Sequence, residues 1–347
     1  MEKLKFAVFG CGFWSKFQIG AWSELEGIEL VAVYNRTLSK AQTIAKTFKV
    51  PHVYDDPEEL FARERLDFVD IITDVDSHSY FVKMALKHGV KHIICQKPMA
   101  PDFETAKQMV NDCRIDGSRL YIHENYRWQA PIRRFKQIVD SGAIGKPFKA
   151  RVTFLSGFPV FDNQPFLRDL NNFIITDMGS HVLDVVRFLF GECDKLWCQT
   201  KAVSPGIKGE DVAVILMDLK NGMPVYTEMS YASIIESDTF STLHILVEGD
   251  KGSVFLGPNF EIRTTTRQGK ESEVVKFPSY SWADPDYIVN HESGIQINRN
   301  ILNDMQGAGK AENTGEDNFE TVKLVWACYE SAKTGGIVQL NSFGNQE

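Results

Sequence analysis

The strongest constraint on this chain is a strict alternation over its first 125 residues. Short, almost continuously apolar runs take turns with segments of helical periodicity. Residues 4–10 read as a buried strand, 14–25 as a helix and 28–34 as a second strand. A helix over 39–48, capped by Thr37 or Ser39, leads to a short strand at 50–54. Asp56-Pro57 marks a helix start, with a capping side chain followed by proline at the first helical position. Residues 66–73 are strand-like, and 76–88 are helical up to the stop signal at Gly89. A strand at 91–95, a helix over 103–114 and a strand at 120–122 complete the pattern. Strands without a polar face must be covered on both sides, which calls for a parallel sheet with helices on each face. Right-handed crossovers then give a doubly wound, Rossmann-type domain.

Near residue 125 the pattern changes. A helix over 131–139 ends near Gly142, and from Lys146 strands prevail at 148–155, 195–203, 211–219, 225–233 and 240–248. Asn221-Gly222 and Asp250-Lys251-Gly252 are hairpin turns. One helix, 179–190, interrupts the strands and stops at Gly191. Segments 204–210 and 266–294 read as loops, and a helix over 317–333 ends at Gly335-Gly336. The expected fold class is α/β, a Rossmann parallel sheet followed by an α+β domain with a mostly antiparallel sheet. A length of 347 residues suits two domains. Residues 1–125 are expected to bind a dinucleotide. Residues 126–347 are expected to bind substrate and make oligomer contacts, with helix 317–333 packing back near the domain interface.

Composition removes whole classes of function. With 43% hydrophobic and 24% charged residues the chain can bury real cores, so it is neither disordered nor fibrous. A net charge of −8 lacks the basic footprint of a nucleic-acid binder. No run reaches the ~20 apolar residues of a membrane span. The apolar run 6–9 is too short for a signal peptide. Six cysteines without a C-x-x-C pair fit reduced thiols in the cytoplasm, with no disulfide framework and no metal site.

Between the first strand and the first helix stands Gly10-Cys11-Gly12-Phe13-Trp14-Ser15, a G-x-G-x-x-G loop with serine third. Gly10 permits the tight turn, and Gly12 lets backbone approach a pyrophosphate. The helix N-terminus offers N–H groups and a positive dipole. Serine is small enough for close helix–strand packing. Phe13 and Trp14 join the cofactor-binding set. The second strand ends at Asn35-Arg36, where an acidic residue usually meets the adenosine ribose. The Asn35 amide can bond a 2′-hydroxyl. Arg36 can stack on adenine, meet a 2′-phosphate, or simply be a solvated turn residue. NAD is the expected cofactor, with NADP left open.

Lys97 follows the strand at 91–95, at the carboxyl end where ligands bind in such sheets. The remaining chemistry sits in Asp177-Met178-Gly179-Ser180-His181-Val182-Leu183-Asp184. At i, i+4 and i+7 the three polar residues share one face of a regular helix. His181 titrates near neutrality and can take a proton from a substrate hydroxyl. Asp177 can bond substrate, fix the imidazole tautomer, or serve as a helix cap. The spacing alone would suit zinc, but the sequence places no third ligand. The stretch Asp162, Asn163, Gln164, Phe166 combines hydroxyl partners with aromatics, as a sugar site requires.

Taken together these segments resemble the Gfo/Idh/MocA oxidoreductase family. The glycine loop at 10–15, the E-K-P motif as Gln96-Lys97-Pro98 and the D-x-x-x-H helix as Asp177 and His181 occur in family order and spacing. Asn125-Tyr126-Arg127, Gly315-Glu316-Asp317 and Tyr329-Glu330-Ser331 also look like family segments. The resemblance implies a Rossmann domain joined to a domain with a large open sheet used for oligomer contact. It implies a catalytic set of Lys97, Asp177 and His181. It implies a cofactor site of Gly10, Gly12, Phe13, Trp14, Asn35, Arg36, Thr73, His78, Gln96, Lys97 and Asn125. Substrate would meet Lys97, Arg127, Trp128, Asp162, Asn163, Asp177 and His181. Two features depart from the family: Gln96 replaces the motif's glutamate, and Thr73-Asp74-Val75-Asp76-Ser77-His78 lacks the usual proline. The strings at 72–76, 123–129, 158–165 and 209–212 look closest to the branch that oxidises the branched pentose D-apiose at its anomeric carbon with NAD. The expected function is therefore an NAD(P)-dependent sugar dehydrogenase acting as a homodimer or homotetramer. The alternatives are an NAD-dependent glycosidase on the same fold and a non-catalytic dinucleotide-binding regulator.

Overall fold

The computed structural model describes residues 3–236 and 241–344, the side chain of Asn163 excepted. Among these residues the strands form two sheets. The first contains β1 (Leu4–Phe9), β2 (Ile28–Tyr34), β3 (His52–Tyr54), β4 (Phe68–Ile71), β5 (His92–Gln96) and β6 (Arg119–His123). All pairs are parallel and the order is 3-2-1-4-5-6. The order reverses between β1 and β4, the place where such sheets bind ligands. Its helices are α1 (Ser15–Ser23), α2 (Leu38–Phe48), α3 (Pro57–Arg63), α4 (His78–Lys87) and α5 (Phe103–Asp116). The Asp56 carboxylate accepts from Glu58 N–H at the start of α3 and Asp102 from Thr105 N–H at the start of α5. The strands are sealed by aromatic packing, as where Phe6 stacks on Phe68 with ring centroids 4.5 Å apart.

The remaining helices are α6 (Ala130–Asp140), α7 (Val160–Asn163), α8 (Ser180–Phe190), α9 (Ile288–Met305) and α10 (Gly315–Thr334). The second sheet comprises β7 (Pro147–Leu155), β8 (Cys193–Lys201), β9 (Val212–Leu219), β10 (Pro224–Ser230), β11 (His244–Gly249), β12 (Gly252–Leu256), β13 (Glu261–Thr266), β14 (Gly269–Val274) and β15 (Val338–Gln339). Its order is 14-13-12-11-7-10-9-8-15, and only β7 with β10 is parallel among the described pairs. The expected fifth strand of this region begins at residue 240, which lies outside the described residues.

One face of the second sheet carries Ala213, Ile215, Met217, Val225, Ile245, Val247 and Val254 into a core shared with α8. On the opposite face a cross-strand row runs Trp197, Leu216, Tyr226, Arg151, Leu246, Phe255, Arg263. Leu216 is half exposed there, and the Arg263 guanidinium lies over the Phe255 ring at 4.9 Å.

The chain divides into two compact units, 1–125 with 279–322, and 126–278 with 323–347. This corrects the expectation that everything after 125 belongs to the second domain. Residues 279–322 return to the first unit because α9 packs on α1 and the following segment pairs with β6. There the Ile122 N–H donates to Asn313 O and Tyr121 bridges Thr314. The reading of 266–294 as a loop is also corrected, since it holds the whole of β14 and the start of α9. Among the described residues no helix is long and apolar enough to cross a membrane.

Candidate active site

Gly10 has φ +104°, and a Cβ there would meet Ile72 O at 2.7 Å, so only glycine fits the turn. A Cβ on Gly12 would meet nothing within 4 Å, which leaves that backbone open to an approaching ligand. Ser15 begins α1 fully buried, and its Oγ donates to Gly12 O at 2.7 Å. No side chain caps α1, and its first turn holds no acidic residue. An uncapped helix N-terminus beside open glycine backbone suits a pyrophosphate, so the loop fits NAD. Phe13 is 73% exposed at the loop's tip.

The neighbouring cofactor candidates are tied to the loop or to one another. Asn35 Oδ1 accepts from Cys11 N–H at 3.0 Å, and its Nδ2 donates to Thr37 O at 3.0 Å. The Asn35 amide thus fastens the glycine loop to the end of β2. Arg36 is exposed, with its guanidinium 3.9 Å from the Asp74 carboxylate. Thr73 Oγ1 accepts from Ser77 Oγ at 2.8 Å. His78 is buried, with Nδ1 3.1 Å from Pro98 O and Nε2 3.2 Å from Thr73 O. Burial lowers its pKa, so the neutral ring donates one N–H to one of these carbonyls and sits packed between the two loops. Asn125 is buried and donates from Nδ2 to Ser293 Oγ at 2.7 Å.

At the end of β5, Gln96 Oε1 accepts from the Lys97 main-chain N–H at 2.9 Å. Gln96 Nε2 donates to Gln18 Oε1 at 2.5 Å, and Gln18 Nε2 donates to Asp70. Burial pushes the Asp70 carboxyl up to about 7, against the lowering effect of N–H donors from Trp22 and Gln18. Lys97 itself is half-buried.

In the second unit, Asp177 lies in a π turn, Ile175–Gly179, that precedes α8. This corrects the regular i, i+4, i+7 face: only His181 and Asp184 share α8, while Asp177 stands one wider turn before them. Such π turns are frequent at functional sites. Tyr231 Oη donates to Asp177 Oδ2 at 3.1 Å. The buried His181 ring stacks on Tyr126 with centroids 3.8 Å apart. The turn is anchored from behind by Glu210, whose Oε1 accepts from Phe173 N–H and from Tyr329 Oη. Tyr329 Oη in turn accepts from Thr176 N–H.

Arg127 meets Asp184 through two bonds, Nε to Oδ2 at 2.7 Å and Nη2 to Oδ1 at 2.5 Å, both partners being buried. The pair locks the segment after β6 onto α8. The Trp128 ring lies under the Arg133 guanidinium at 3.6 Å. Asp162 is exposed, 3.6 Å from Arg168. Phe161 is buried, whereas Phe166 is exposed.

Within the first unit the structure thus gathers Gly10, Gly12 and Asn35, and separately Thr73, His78, Gln96 and Lys97. Within the second it sets Asp177 against Tyr231 and His181 against Tyr126. Sequence reasoning missed Tyr231, Gln18 and Asp70, and it marked Glu210 and Tyr329 only as parts of family-like segments, without a role. Of the three missed, Asp70 carried a signal, a charge in the middle of an apolar parallel strand that must find partners.

Residues 4–124 match a family described as "Oxidoreductase family, NAD-binding Rossmann fold", Gfo/Idh/MocA, and residues 132–255 match the C-terminal domain of the same family. The chain is 38% identical to the D-apiose dehydrogenase of Rhizobium rhizogenes over 342 residues, 99% of both chains. It is 35% identical to the D-apiose dehydrogenase of Paraburkholderia graminis, over 99% of this chain and 91% of that one. Among solved structures, an oxidoreductase from Agrobacterium radiobacter in complex with NAD+, L-tartaric acid and magnesium superposes with a TM-score of 0.94 at 38% identity. That match covers 98% of this chain and 99% of the other. Two matched domains and relatives alike from end to end make this chain a member of the Gfo/Idh/MocA family of NAD-binding oxidoreductases.

Proposed function

We propose that this enzyme is an NAD-dependent sugar dehydrogenase whose substrate is D-apiose, oxidised at the anomeric carbon. The likeness to two D-apiose dehydrogenases over 99% of the chain carries this reading. NAD, when bound, supplies the hydride acceptor. Gly10, Gly12, Phe13, Trp14 and the N-terminus of α1 hold its pyrophosphate, with Asn35 and Arg36 on the adenosine side. The Asp74 carboxylate beside Arg36 opposes a 2′-phosphate and so favours NAD over NADP. Thr73, Gln96, Lys97 and Asn125 border the nicotinamide end, and His78 acts by holding the loops at 73 and 98–99. His181 takes the proton of the reacting hydroxyl. Lys97 donates a hydrogen bond to that oxygen as charge develops on it. Asp177, held by Tyr231, bonds a sugar hydroxyl. Trp128 and Asp162 border the sugar, and Arg127 keeps α8 in place for it; the side chain of Asn163, also expected there, lies outside the described residues.

We also assign self-association, as a dimer or tetramer, to the outer face of the second sheet. The six cysteines are all buried and free of disulfides, which suits a reducing, cytoplasmic compartment.

The test is an NAD and NADP reduction screen over D-apiose, unbranched aldoses and cyclic polyols. D-Apiose with NAD is expected to give NADH. Lys97→Ala and His181→Ala are each expected to lower kcat by about 10²–10⁴-fold with NAD binding retained. Unchanged turnover in both variants removes the assignment. Release of a sugar from a glycoside without net NADH would instead mark a glycosidase.

A further inference from the structure

A buried run of hydrogen bonds behind β5 has a fixed polarity. Its two ends are groups that can only donate, the Lys97 main-chain N–H and the Trp22 indole N–H. Lys97 N–H donates to Gln96 Oε1 at 2.9 Å, and Gln96 Nε2 donates to Gln18 Oε1 at 2.5 Å. Gln18 Nε2 then donates to both Asp70 oxygens at 2.7 and 2.8 Å, and Trp22 Nε1 donates to Asp70 Oδ2 at 2.8 Å. Gln18, Gln96 and Asp70 are all buried. While ionised, Asp70 can only accept, and with Trp22 as its other donor it obliges Gln18 to turn its amino group inward and offer its carbonyl outward. Gln96 must then meet that carbonyl with its own amino group, which leaves its oxygen for Lys97. Neither amide can turn round alone without setting two acceptors or two donors face to face.

His123 agrees with this direction from a second side when its Nε2 carries the proton. Burial pushes its imidazole down to about 4, so the ring is neutral. With Nε2 3.0 Å from Asn298 Oδ1 as donor, its bare Nδ1 faces Gln96 Nε2 at 3.4 Å.

We propose that Gln18 is a positioning residue for Lys97, and that Asp70, acting through Gln18, sets the requirement for glutamine rather than glutamate at position 96. A glutamate there would place a carboxylate oxygen against the Gln18 carbonyl, two acceptors in a buried space. The inference rests on the reading that Lys97 bonds the reacting oxygen.

A double-mutant cycle on the full-length enzyme tests it, using Gln96→Glu, Asp70→Asn and the pair. The amide that Asp70→Asn introduces can donate to the Gln18 carbonyl while still accepting from Trp22. Gln18 is then free to turn round and offer its amino group to a glutamate at position 96. Gln96→Glu alone is expected to lower kcat about ten-fold or more, the scale of a displaced reacting group, with the NAD Kd little changed. The pair is expected to recover kcat to within about three-fold of Asp70→Asn, a coupling that a merely structural loss would not produce. Effects that simply multiply would overturn the proposal. Gln18→Met, which cuts the run without adding charge, covers a Gln96→Glu that does not fold; unchanged kcat in it also overturns the proposal. Lys97→Ala is run alongside. If it keeps turnover, the reading of Lys97 fails; if it is inactive while the cycle is multiplicative, only the relay fails.

Discussion

Tyr231 has its ring stacked on Phe173 at 11° and set edge-on to Phe154, with centroids 5.6 and 5.1 Å away. Held in this way, the hydroxyl points at Asp177 Oδ2. Burial and the neighbouring Asp177 push the phenol well above its ordinary range, so it remains a donor at any physiological pH. Tyr231→Phe keeps the ring packing and removes only the donor. Stability is expected to fall by about 1 kcal/mol, since one hydrogen bond is lost. If Asp177 bonds the sugar, kcat should fall about ten-fold, the usual scale for a displaced reacting group. Thermal melts and steady-state kinetics on the same protein check both, and a lower Tm with unchanged kcat would make Tyr231 purely structural. The contrast with the motif residues shows what can be read from sequence at this scale. Gly10, Gly12, Lys97, Asp177 and His181 stand out because their spacing is tied to one turn or one strand end. Tyr231 lies 54 positions from Asp177, and Gln18 lies 52 from Asp70, so no local pattern joins them. The sequence places Arg127 at the substrate, whereas the structure pairs it with Asp184, a partner that becomes visible only once α8 is packed.

Between single side chains and the whole chain, the segment leading into α9 shows why some elements escape sequence reading. The buried face of α9 mixes the two kinds of side chain: Asn290, His291, Glu292, Ser293 and Asn298 lie inside beside Val289, Ile295, Ile297, Ile301 and Leu302. Polar residues interrupt its apolar stripe, whereas β1 and β2 are plain from their apolar runs. β14 is exposed along its entire length and carries no alternation either. Trp282 packs over Gly20 of α1, where an added Cβ would lie 2.5 Å from the indole. Alanine usually gains up to ~1 kcal/mol over glycine in a helix, but overpacking costs about 1–3 kcal/mol. The indole cannot easily move, because its Nε1 donates to Glu24 Oε1 at 2.8 Å and its ring stacks on Tyr280. Gly20→Ala is thus expected to destabilise, with a shift in tryptophan fluorescence; a raised Tm would contradict this packing. Nearby, His291 stacks on Phe17 at 3.9 Å, and its Nδ1 accepts from Asp284 N–H at 3.0 Å. Burial pushes this imidazole down to about 4. As pH falls below the ordinary histidine value near 6.5, the unfolded chain takes up a proton that the folded chain refuses. The stabilisation is therefore complete above about 6.5 and is lost as pH falls toward 4. His291→Phe keeps a ring against Phe17, and it should reduce the stability difference between pH 7 and pH 5 by about 1 kcal/mol in urea denaturation. An unaltered difference would place the acid sensitivity elsewhere.

At the scale of the whole molecule, the proposed self-association is assigned to the outer face of the second sheet. Its row from Trp197 to Arg263 crosses seven strands and sets Leu216, Tyr226, Leu246 and Phe255 among charges of both signs. Lys149 pairs with Glu248 there at 2.7 Å, and Lys195 with Asp218 at 3.2 Å. A face that holds apolar side chains together with acids and bases can be complementary to itself when turned about a two-fold axis. Long exposed sheet surfaces of this kind are otherwise prone to uncontrolled association. Leu216→Asp places a charge within the row. Its local cost as a strand substitution is about 1 kcal/mol or less, so the protomer should still fold. Because α8 packs on the core face, the Asp177–Tyr231 bond and the His181 stack on Tyr126 should remain intact. Sedimentation velocity is expected to give an oligomer for the unmodified chain and a folded monomer for Leu216→Asp. An undiminished oligomer in the variant would move the contact to another surface of the protein.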